Sequence, residues 1–156
     1  MSLQYIIDAY NIINHPQFRS LAKQSSSVQR SLDDFIRLNR LTGSAKNRVA
    51  LVFDGYPAAA QEIPEEEGLL WIYSRKIDAD EKIKKLVEES GNPRDIIVVS
   101  DDRQVQLTAR LLHAQACGVK EFICGKKSNK PVAAIGLDSL DSKLTYSQIQ
   151  KINAEL

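Results

Sequence analysis

Acidic side chains follow the apolar runs of this sequence at several points, and these acids are the residues best suited to chemistry. Each one ends an apolar run or stands close behind it: Asp8, Asp54, Asp78, Asp80, Asp101 and Asp102. Carboxylates held close together raise one another's pKa unless a cation lies among them. Because these segments contain no Cys or His, the donors are all hard oxygens, which suit Mg²⁺ or Mn²⁺. The pattern therefore predicts a divalent cation bound by aspartates.

Short apolar runs rich in β-formers predict the strands that carry these acids. The runs are Tyr5–Ile7, Val49–Phe53, Leu69–Tyr73, Ile96–Val99 and, as a fifth strand, Glu121–Cys124. Helical spacing predicts helices from a Ser27 cap to Gly43, from Asp78 to Ser90 and from Asp102 to Cys117. Buried strands that alternate with helices indicate an α/β fold, in which a parallel sheet is covered on both faces.

A parallel sheet brings the carboxyl ends of its strands to one edge, and ligands bind there in folds of this kind. Neighbouring strands lie about 4.8 Å apart, so carboxylates at their ends can reach one ion. Two of the acids have a local alternative: Asp8 is able to form a turn with Asn11, and Asp54 with Gly55. Both alternatives stay open at the level of the sequence.

The two acidic pairs contain one acid each that a helix N-terminus explains. Asp78 and Asp101 are followed three residues later by Glu or Gln, which matches the capping-box pattern. Asp80 and Asp102 would then lie in the first helical turn without a structural task. We therefore expect the second acid of each pair to be the better metal candidate.

The totals fit one cytoplasmic domain. The chain has 156 residues, 43% of them hydrophobic and 26% charged, which is enough for one core, and we expect a single domain over 1–156 with its core at about 4–125. A basic loop and a C-terminal helix are expected over 126–156. The net charge of +1 excludes a polycation, so nucleic acid must be bound by a local basic face. No leader pattern or apolar stretch of about 18 residues suggests a membrane.

The two cysteines, Cys117 and Cys124, have no partners at metal-ligand spacing, and the histidines are far from them. We expect each cysteine to be a small buried hydrophobe. Two thiols without a disulfide framework are typical of a reducing cytoplasm.

Four blocks of the sequence, in order, resemble the motifs of a known family. They are Ile7-Asp8-Ala9-Tyr10-Asn11, Val52-Phe53-Asp54-Gly55-Tyr56, Ile72-Tyr73-Ser74 leading to Ala79-Asp80, and Val99-Ser100-Asp101-Asp102-Arg103 with Gln106. The first block resembles the D-x-Y-N opening of NYN domains, a branch of the PIN-like nucleases. Together the blocks resemble the YacP-like subgroup, over about residues 4 to 125.

The resemblance implies a three-layer α/β/α, PIN-like fold with a mainly parallel sheet, a divalent metal, and endonucleolytic cleavage of RNA, in some members on the ribosome. Carried over by motif, Asp8, Asp80 and Asp102 would bind Mg²⁺ or Mn²⁺. The metal would stabilise charge on the phosphate and activate water, and Asp101 or Asp54 would accept the proton.

Other residues of these blocks are expected to support the site or contact RNA. Asn11 would orient Asp8 or touch substrate, Ser100 would hold its loop by hydrogen bonding, and Asp54 would be an accessory acid. Arg75, Lys76 and Arg103 are candidates for phosphate contacts. Tyr10 and Tyr56 would stack on unpaired bases or pack in the protein. The lysines of the predicted helix after the third strand, Lys82, Lys84 and Lys85, either approach RNA or form a solvated helix face.

The sequence departs from the subgroup at two positions near the expected site. An Ile-Glu pair is usual after the Ala-Asp block, and here it reads Ile83-Lys84; a Glu is common before Gln106, and here Val105 stands there. Both changes remove negative charge, which leaves open a catalytically weak or inactive module that binds RNA or the ribosome. A phosphoacceptor domain is disfavoured because its acidic pair would follow the first strand, and a D-x-D phosphatase because position 10 is Tyr10.

Overall fold

Five strands and six α-helices make up the part of the chain that the computed structural model describes, residues 2–23, 26–59, 61, 63–64 and 68–124. The strands are β1 (Gln4–Asp8), β2 (Arg48–Phe53), β3 (Leu69–Tyr73), β4 (Ile96–Val99) and β5 (Gln115–Cys117). The helices are α1 (Ala9–Ile13), α2 (Pro16–Leu21), α3 (Val28–Leu38), α4 (Ala79–Glu88), α5 (Arg103–Leu111) and α6 (Val119–Cys124).

The strands form one sheet in the order β3-β2-β1-β4-β5, and every neighbouring pair is parallel. In the central register, Ile7 of β1 is opposite Leu51 of β2 and Val99 of β4. These strands are almost wholly apolar because both of their faces are buried. The predicted α/β fold with a parallel sheet is confirmed.

Alternate residues of each strand enter two separate cores, as the two-residue period of a strand requires. Ile7, Leu51 and Val99 pack with α1, α2, α3 and α6 on one face. Ile6, Ala50 and Val98 pack with α4 and α5 on the other face. The sheet therefore lies between two helical layers, which confirms the three-layer arrangement.

Trp71 lies in the first of these cores, on the edge strand β3. Its side chain is 7% exposed, and the guanidinium of Arg30 lies 5.6 Å from the centroid of its ring. The indole N–H is buried without a hydrogen-bond partner among the described residues. The positive charge of Arg30 is attracted to the π face of the Trp71 ring, which stabilises this contact.

The helix boundaries correct the sequence-based expectations in the first half of the chain. Ser27 caps α3 as predicted, and its Oγ accepts from the amide of Arg30 at 3.1 Å. The helix ends at Leu38 and not at Gly43, because Arg40 takes a left-handed φ of 50° and the Leu41 amide donates back to the Ile36 carbonyl at 3.1 Å. Gly43 lies in the following turn, where its φ of +75° suits a residue without Cβ. The short helices α1 and α2 were not predicted.

The second half contains two further corrections. The predicted helix from Asp102 to Cys117 ends at Leu111, since His113 takes a left-handed φ of 76° and the chain then enters β5. The predicted fifth strand at Glu121–Cys124 is wrong: that segment belongs to α6, and the fifth strand is Gln115–Cys117. The other four strands and α4 lie where the sequence predicted them.

Cys117 is buried as predicted, whereas Cys124 is exposed, which corrects the expectation for that residue; neither forms a disulfide. In the described part of the chain, no helix is long and apolar enough to cross a membrane. The basic loop and the C-terminal helix predicted over 126–156 lie outside the described residues. The single-domain extent therefore stays a prediction.

Candidate active site

Asp8 is the last residue of β1 and lies at the centre of the carboxyl edge of the sheet. The chain enters α1 directly after it, with Asp8 in the extended conformation of an N-cap but without a capping hydrogen bond from its side chain. Its Oδ2 instead accepts from the Ser100 hydroxyl at 3.2 Å, and only 5% of the residue is exposed. The alternative of a turn between Asp8 and Asn11 is therefore not what the structure shows.

Asn11 and Ser100 connect the end of β1 to the loop after β4. Asn11 Oδ1 accepts from the amide of Asp101 at 2.6 Å and lies 3.1 Å from the Ser100 hydroxyl. That hydroxyl also accepts from the amide of Asp102 at 3.1 Å, and Gln106 donates to the Ser100 carbonyl at 2.6 Å. Because a hydroxyl has one proton, Asp8 and Asn11 share it. Asn11 thus acts on Asp8 through Ser100.

Of the two acids after β4, the second and not the first caps the following helix, so Asp102 does have a structural task. Asp102 is the N-cap of α5, and its Oδ1 accepts from the amides of Gln104 at 2.8 Å and Val105 at 3.2 Å. Asp101 does not cap this helix; its Oδ1 accepts from the amide of Val119 at 2.8 Å. The prediction that Asp101 is the cap is wrong, because contacts with Asn11 and Val119 hold it one position too early for the helix.

Asp54 and Asp78 both hold the N-terminus of α4. Asp78 caps the helix as predicted, with Oδ1 accepting from the amide of Glu81 at 2.9 Å. Asp54 follows β2, and its Oδ1 accepts from the amide of Ala79 at 3.0 Å and lies 3.4 Å from the Ser74 hydroxyl. The bend after Asp54 has Gly55 at φ +89°, which agrees with the turn signal in the sequence. Asp54 therefore ties the end of β2 to α4.

Asp80 lies in the first turn of α4 and has no hydrogen-bond partner among the described residues. Burial raises its pKa, and the negative charges of Asp102, Asp78 and Asp54 raise it further. The helix dipole favours an acid in this position. Within the described fold, however, the Asp80 carboxylate accepts no hydrogen bond from a backbone amide or a side chain. Its carboxylate is thus available to a ligand.

Burial also raises the pKa of Asp8 from 3.8 to about 6. The hydrogen bond from Ser100 opposes this shift, while the charges of Asp80, Asp102 and Asp54 add to it. Asp8, Asp54, Asp80 and Asp102 thus form a group of four carboxylates at one edge of the sheet, and Asp78 adds to the negative charge beside Asp80. Both ion pairs found in the described part of the chain are made by Asp33, so no basic side chain there neutralises the four.

The donor chemistry of this edge fits a hard divalent cation, although the carboxylates do not converge on one point. No group of three or more His, Cys, Asp or Glu within the described ranges is arranged to hold a metal ion. Asp8, Asp54 and Asp102 each use one named oxygen for a hydrogen bond from the protein, which leaves the other oxygen for a ligand. Neighbouring carboxylates repel one another, and a metal ion bound between them would reduce that repulsion.

Basic and aromatic side chains flank the acids. The guanidinium of Arg75 lies 5.7 Å from the ring centroid of Tyr56. The backbone amide of Arg75 donates to the Gly55 carbonyl at 2.8 Å. Tyr56 is 58% exposed, so one face of this aromatic ring remains open to solvent. Lys76 and Arg103 are also exposed and form neither of the two ion pairs seen among the described residues.

Tyr10 is partly buried, and its ring meets Phe53 edge-on at 5.9 Å in the first core. It also lines a shallow depression beside the acids, together with Asn11, Asn14, His15, Pro16, Asp101 and Asp102. The sequence reasoning missed Asn14, His15 and Pro16, because no motif marks the junction between α1 and α2. His15 caps α2 through Nδ1, which accepts from the amide of Gln17 at 3.2 Å. The depression extends the acidic edge toward α2.

Comparison with known proteins agrees with this fold. Two crystal structures of Rae1 (YacP) from Bacillus subtilis are similar: the first has a TM-score of 0.58 at 23% identity, over 80% of this chain and 72% of that chain. A point mutant of the same protein has a TM-score of 0.56 at 25% identity, over 80% of this chain and 74% of that chain. No curated protein matches. The model of the YacP-like NYN domain family matches residues 5–148, so the chain belongs to this nuclease-type family.

Proposed function

We propose that the protein is a metal-dependent endoribonuclease that hydrolyses RNA phosphodiester bonds at the carboxyl edge of its sheet. The observation that carries the proposal is the gathering of Asp8, Asp54, Asp80 and Asp102 at one edge of the sheet without a basic partner in the described chain. Burial raises the pKa of Asp8 and of Asp80, and the charges of neighbouring acids raise both further. Membership of a nuclease-type family supports RNA as the substrate. An mRNA presented on the ribosome is the substrate that the family resemblance favours, and the protein is proposed to act in the cytoplasm.

Asp8, Asp80 and Asp102 would hold Mg²⁺ or Mn²⁺. A bound Mg²⁺ would stabilise negative charge on the phosphate and lower the pKa of an attacking water. Asp8 is fixed by β1 and by the Ser100 hydroxyl, so its position does not depend on the ligand. Asp102 is fixed at the start of α5 by the two amides that it caps. Asp80 has no such anchor in the described chain and is free to turn toward the ion.

The proton of the attacking water needs an acceptor close to these acids. Asp101 is exposed and uses only Oδ1, toward the amide of Val119, which leaves Oδ2 for a proton. Asp54 is the other candidate and likewise has a single engaged oxygen. Each is held at a helix N-terminus, Asp101 at α6 and Asp54 at α4, so both acids are candidates for the acceptor.

RNA would approach along the exposed cations beside the acids. Arg75, Lys76 and Arg103 would contact phosphates, which positions a strand without reading its sequence. Tyr56, with Arg75 against its ring, presents an aromatic face for stacking on an unpaired base. Tyr10 and Asn11 line the depression on the other side of Asp101 and would contact the strand there.

The test is cleavage of single-stranded and structured RNAs in Mg²⁺, Mn²⁺ or chelator by the wild-type protein and by Asp102→Asn. Asp95→Asn is the matched control, because it makes the same change at the opposite end of β4. We expect cleavage with either metal and none with chelator, a loss of at least about 100-fold in Asp102→Asn, and wild-type rates in Asp95→Asn. Undiminished cleavage in chelator or in Asp102→Asn would overturn the proposal.

A second candidate is an RNA-binding module of the same fold that has lost turnover. Lys84 and Val105 favour it, since both line the space between α4 and α5 next to Asp80 and neither supplies a carboxylate. Such a module would bind RNA equally in Mg²⁺ and chelator and would never cleave it. The same assay, with binding measured beside cleavage, separates the two candidates.

A further inference from the structure

Helices α4 and α5 lie side by side on one face of the sheet, and a groove runs between them from the acidic edge. Its upper end is formed by three acids: Asp78 and Asp80, which belong to the site described above, and Glu81. From there it passes Lys84 and Gln104 and ends near Leu112. Its volume is about 270 Å³, slightly below the roughly 300–1,000 Å³ of small-molecule pockets, so it suits one nucleotide and not a duplex.

The groove has an apolar floor and a polar rim. Ile83, Val105 and Ala109 form the floor and are all buried in the second core. Gln104 and Thr108 supply an amide and a hydroxyl at the rim, and both residues lie on α5. Such a surface matches a nucleoside, whose base is apolar on its faces and carries donors and acceptors on its edges.

Lys84 is the one cation among the described residues that line the groove. It is exposed and takes part in neither ion pair made by the described residues. Lys84 follows Asp80 by four residues on α4. The Cβ atoms of residues at this spacing lie about 6 Å apart on the same helix face. This separation is comparable with that of neighbouring phosphates along a single strand. A phosphate at the acids would thus place the next one near Lys84.

We propose that the α4–α5 groove is a subsite for one unpaired nucleotide of an RNA strand that passes over the acidic edge. The subsite rests on the proposed function, because the acids define where the scissile phosphate lies. In this subsite the base and ribose contact the floor at Val105. Their polar groups form hydrogen bonds with Gln104 and Thr108, and the phosphate is bound by Lys84. Asp78, Asp80 and Glu81 carry negative charge at the acidic end of the groove, so Lys84 is the side chain of the lining that attracts a phosphate.

The test is binding of a fluorescent single-stranded RNA in chelator, followed by anisotropy over a range of salt concentrations. We compare Lys84→Glu with Lys85→Glu, which makes the same charge change at the next residue of α4 but does not line the groove. Lys84→Glu should weaken binding about tenfold, since an exposed ion pair is lost and a repulsion is added. It should also lower the slope of log affinity against log salt by about 0.7, as expected for one phosphate contact on a single strand.

A second variant tests the shape of the groove without changing its charge. Thr108→Tyr would fill the space between the helices at a half-buried rim position, and it should weaken binding while leaving the salt slope unchanged. Equal effects of Lys84→Glu and Lys85→Glu, or wild-type affinity in Lys84→Glu and Thr108→Tyr, would overturn the subsite while metal-dependent cleavage still stands. A wild-type protein that binds no RNA in chelator would overturn the subsite alone, and the absence of cleavage with Mg²⁺ or Mn²⁺ would overturn the proposed function as well.

Discussion

Replacing Asp8 by asparagine should stabilise the metal-free protein at neutral pH. Burial raises the pKa of Asp8 from 3.8 to about 6, so the folded protein binds this proton more tightly than the unfolded chain does. The stability that the proton provides is fully present below about pH 4 and is lost as the pH rises through about 6. Each tenfold change in proton affinity corresponds to about 1.4 kcal/mol, so the ionised carboxylate costs up to about 3 kcal/mol at pH 8.

The substitution Asp8→Asn would keep the shape of the side chain and the acceptor for the Ser100 hydroxyl, and it would remove the buried charge. We expect urea unfolding in chelator to show a gain of up to about 3 kcal/mol for Asp8→Asn at pH 8. The gain should shrink as the pH falls and nearly vanish close to pH 4. Mg²⁺ should reverse the order at pH 8, since it would stabilise the wild-type protein and not the variant.

Asp95→Asn serves as the control, because it makes the same substitution outside the acidic edge and should show no such dependence on pH. The reasoning is refuted if Asp8→Asn is less stable than the wild-type protein at pH 8 in chelator. It is equally refuted if the difference between the two proteins is the same at pH 5 and pH 8. Either result would mean that the Asp8 carboxylate is not under electrostatic and desolvation strain in the fold.

Substitutions at three positions separate structural roles from chemical ones. Asp102→Asn should keep the cap of α5, whereas Asp102→Ala should lower the free energy of unfolding by about 1 kcal/mol. Both variants should lose cleavage. Equal thermal stability of the two would contradict the capping geometry. Gly118→Ala places a Cβ 3.0 Å from Asp101 Oδ1, so we expect displacement of that carboxylate, a loss of about 1 kcal/mol in denaturant unfolding and slower cleavage. Asn11→Ala leaves the Asp101 amide without its acceptor and should cost about 1–2 kcal/mol; unchanged unfolding and cleavage rates would show that Asn11 does not organise the Ser100 loop.

The sequence predicted the strands and the edge at which the acids meet, because these features depend on local patterns. β1 to β4 are short apolar runs bounded by polar residues, and a parallel sheet has a single carboxyl edge. Asp78 was also recognised as a cap, since its partner, the amide of Glu81, lies three residues away. Neither inference requires knowledge of residues distant in the chain.

The parts that the sequence did not predict depend on contacts between distant residues. Asp101 and Asp102 are both acceptable caps by local pattern, and the choice is made by Asn11 and Val119, which lie 90 and 18 residues from Asp101. Glu121–Cys124 is apolar enough for a strand, but β5 already occupies the edge beside β4. Short apolar runs are ambiguous between helix and strand until such neighbours are known.

Trp71 is the one tryptophan in the chain, and its surroundings make it a natural fluorescent probe. Its ring is shielded from water and lies under the Arg30 guanidinium, so unfolding would both solvate the indole and remove the cation. It belongs to the core opposite the α4–α5 groove. Its emission therefore reports the integrity of the α3 layer in every titration and variant considered above, without a label and without direct contact with RNA in the groove.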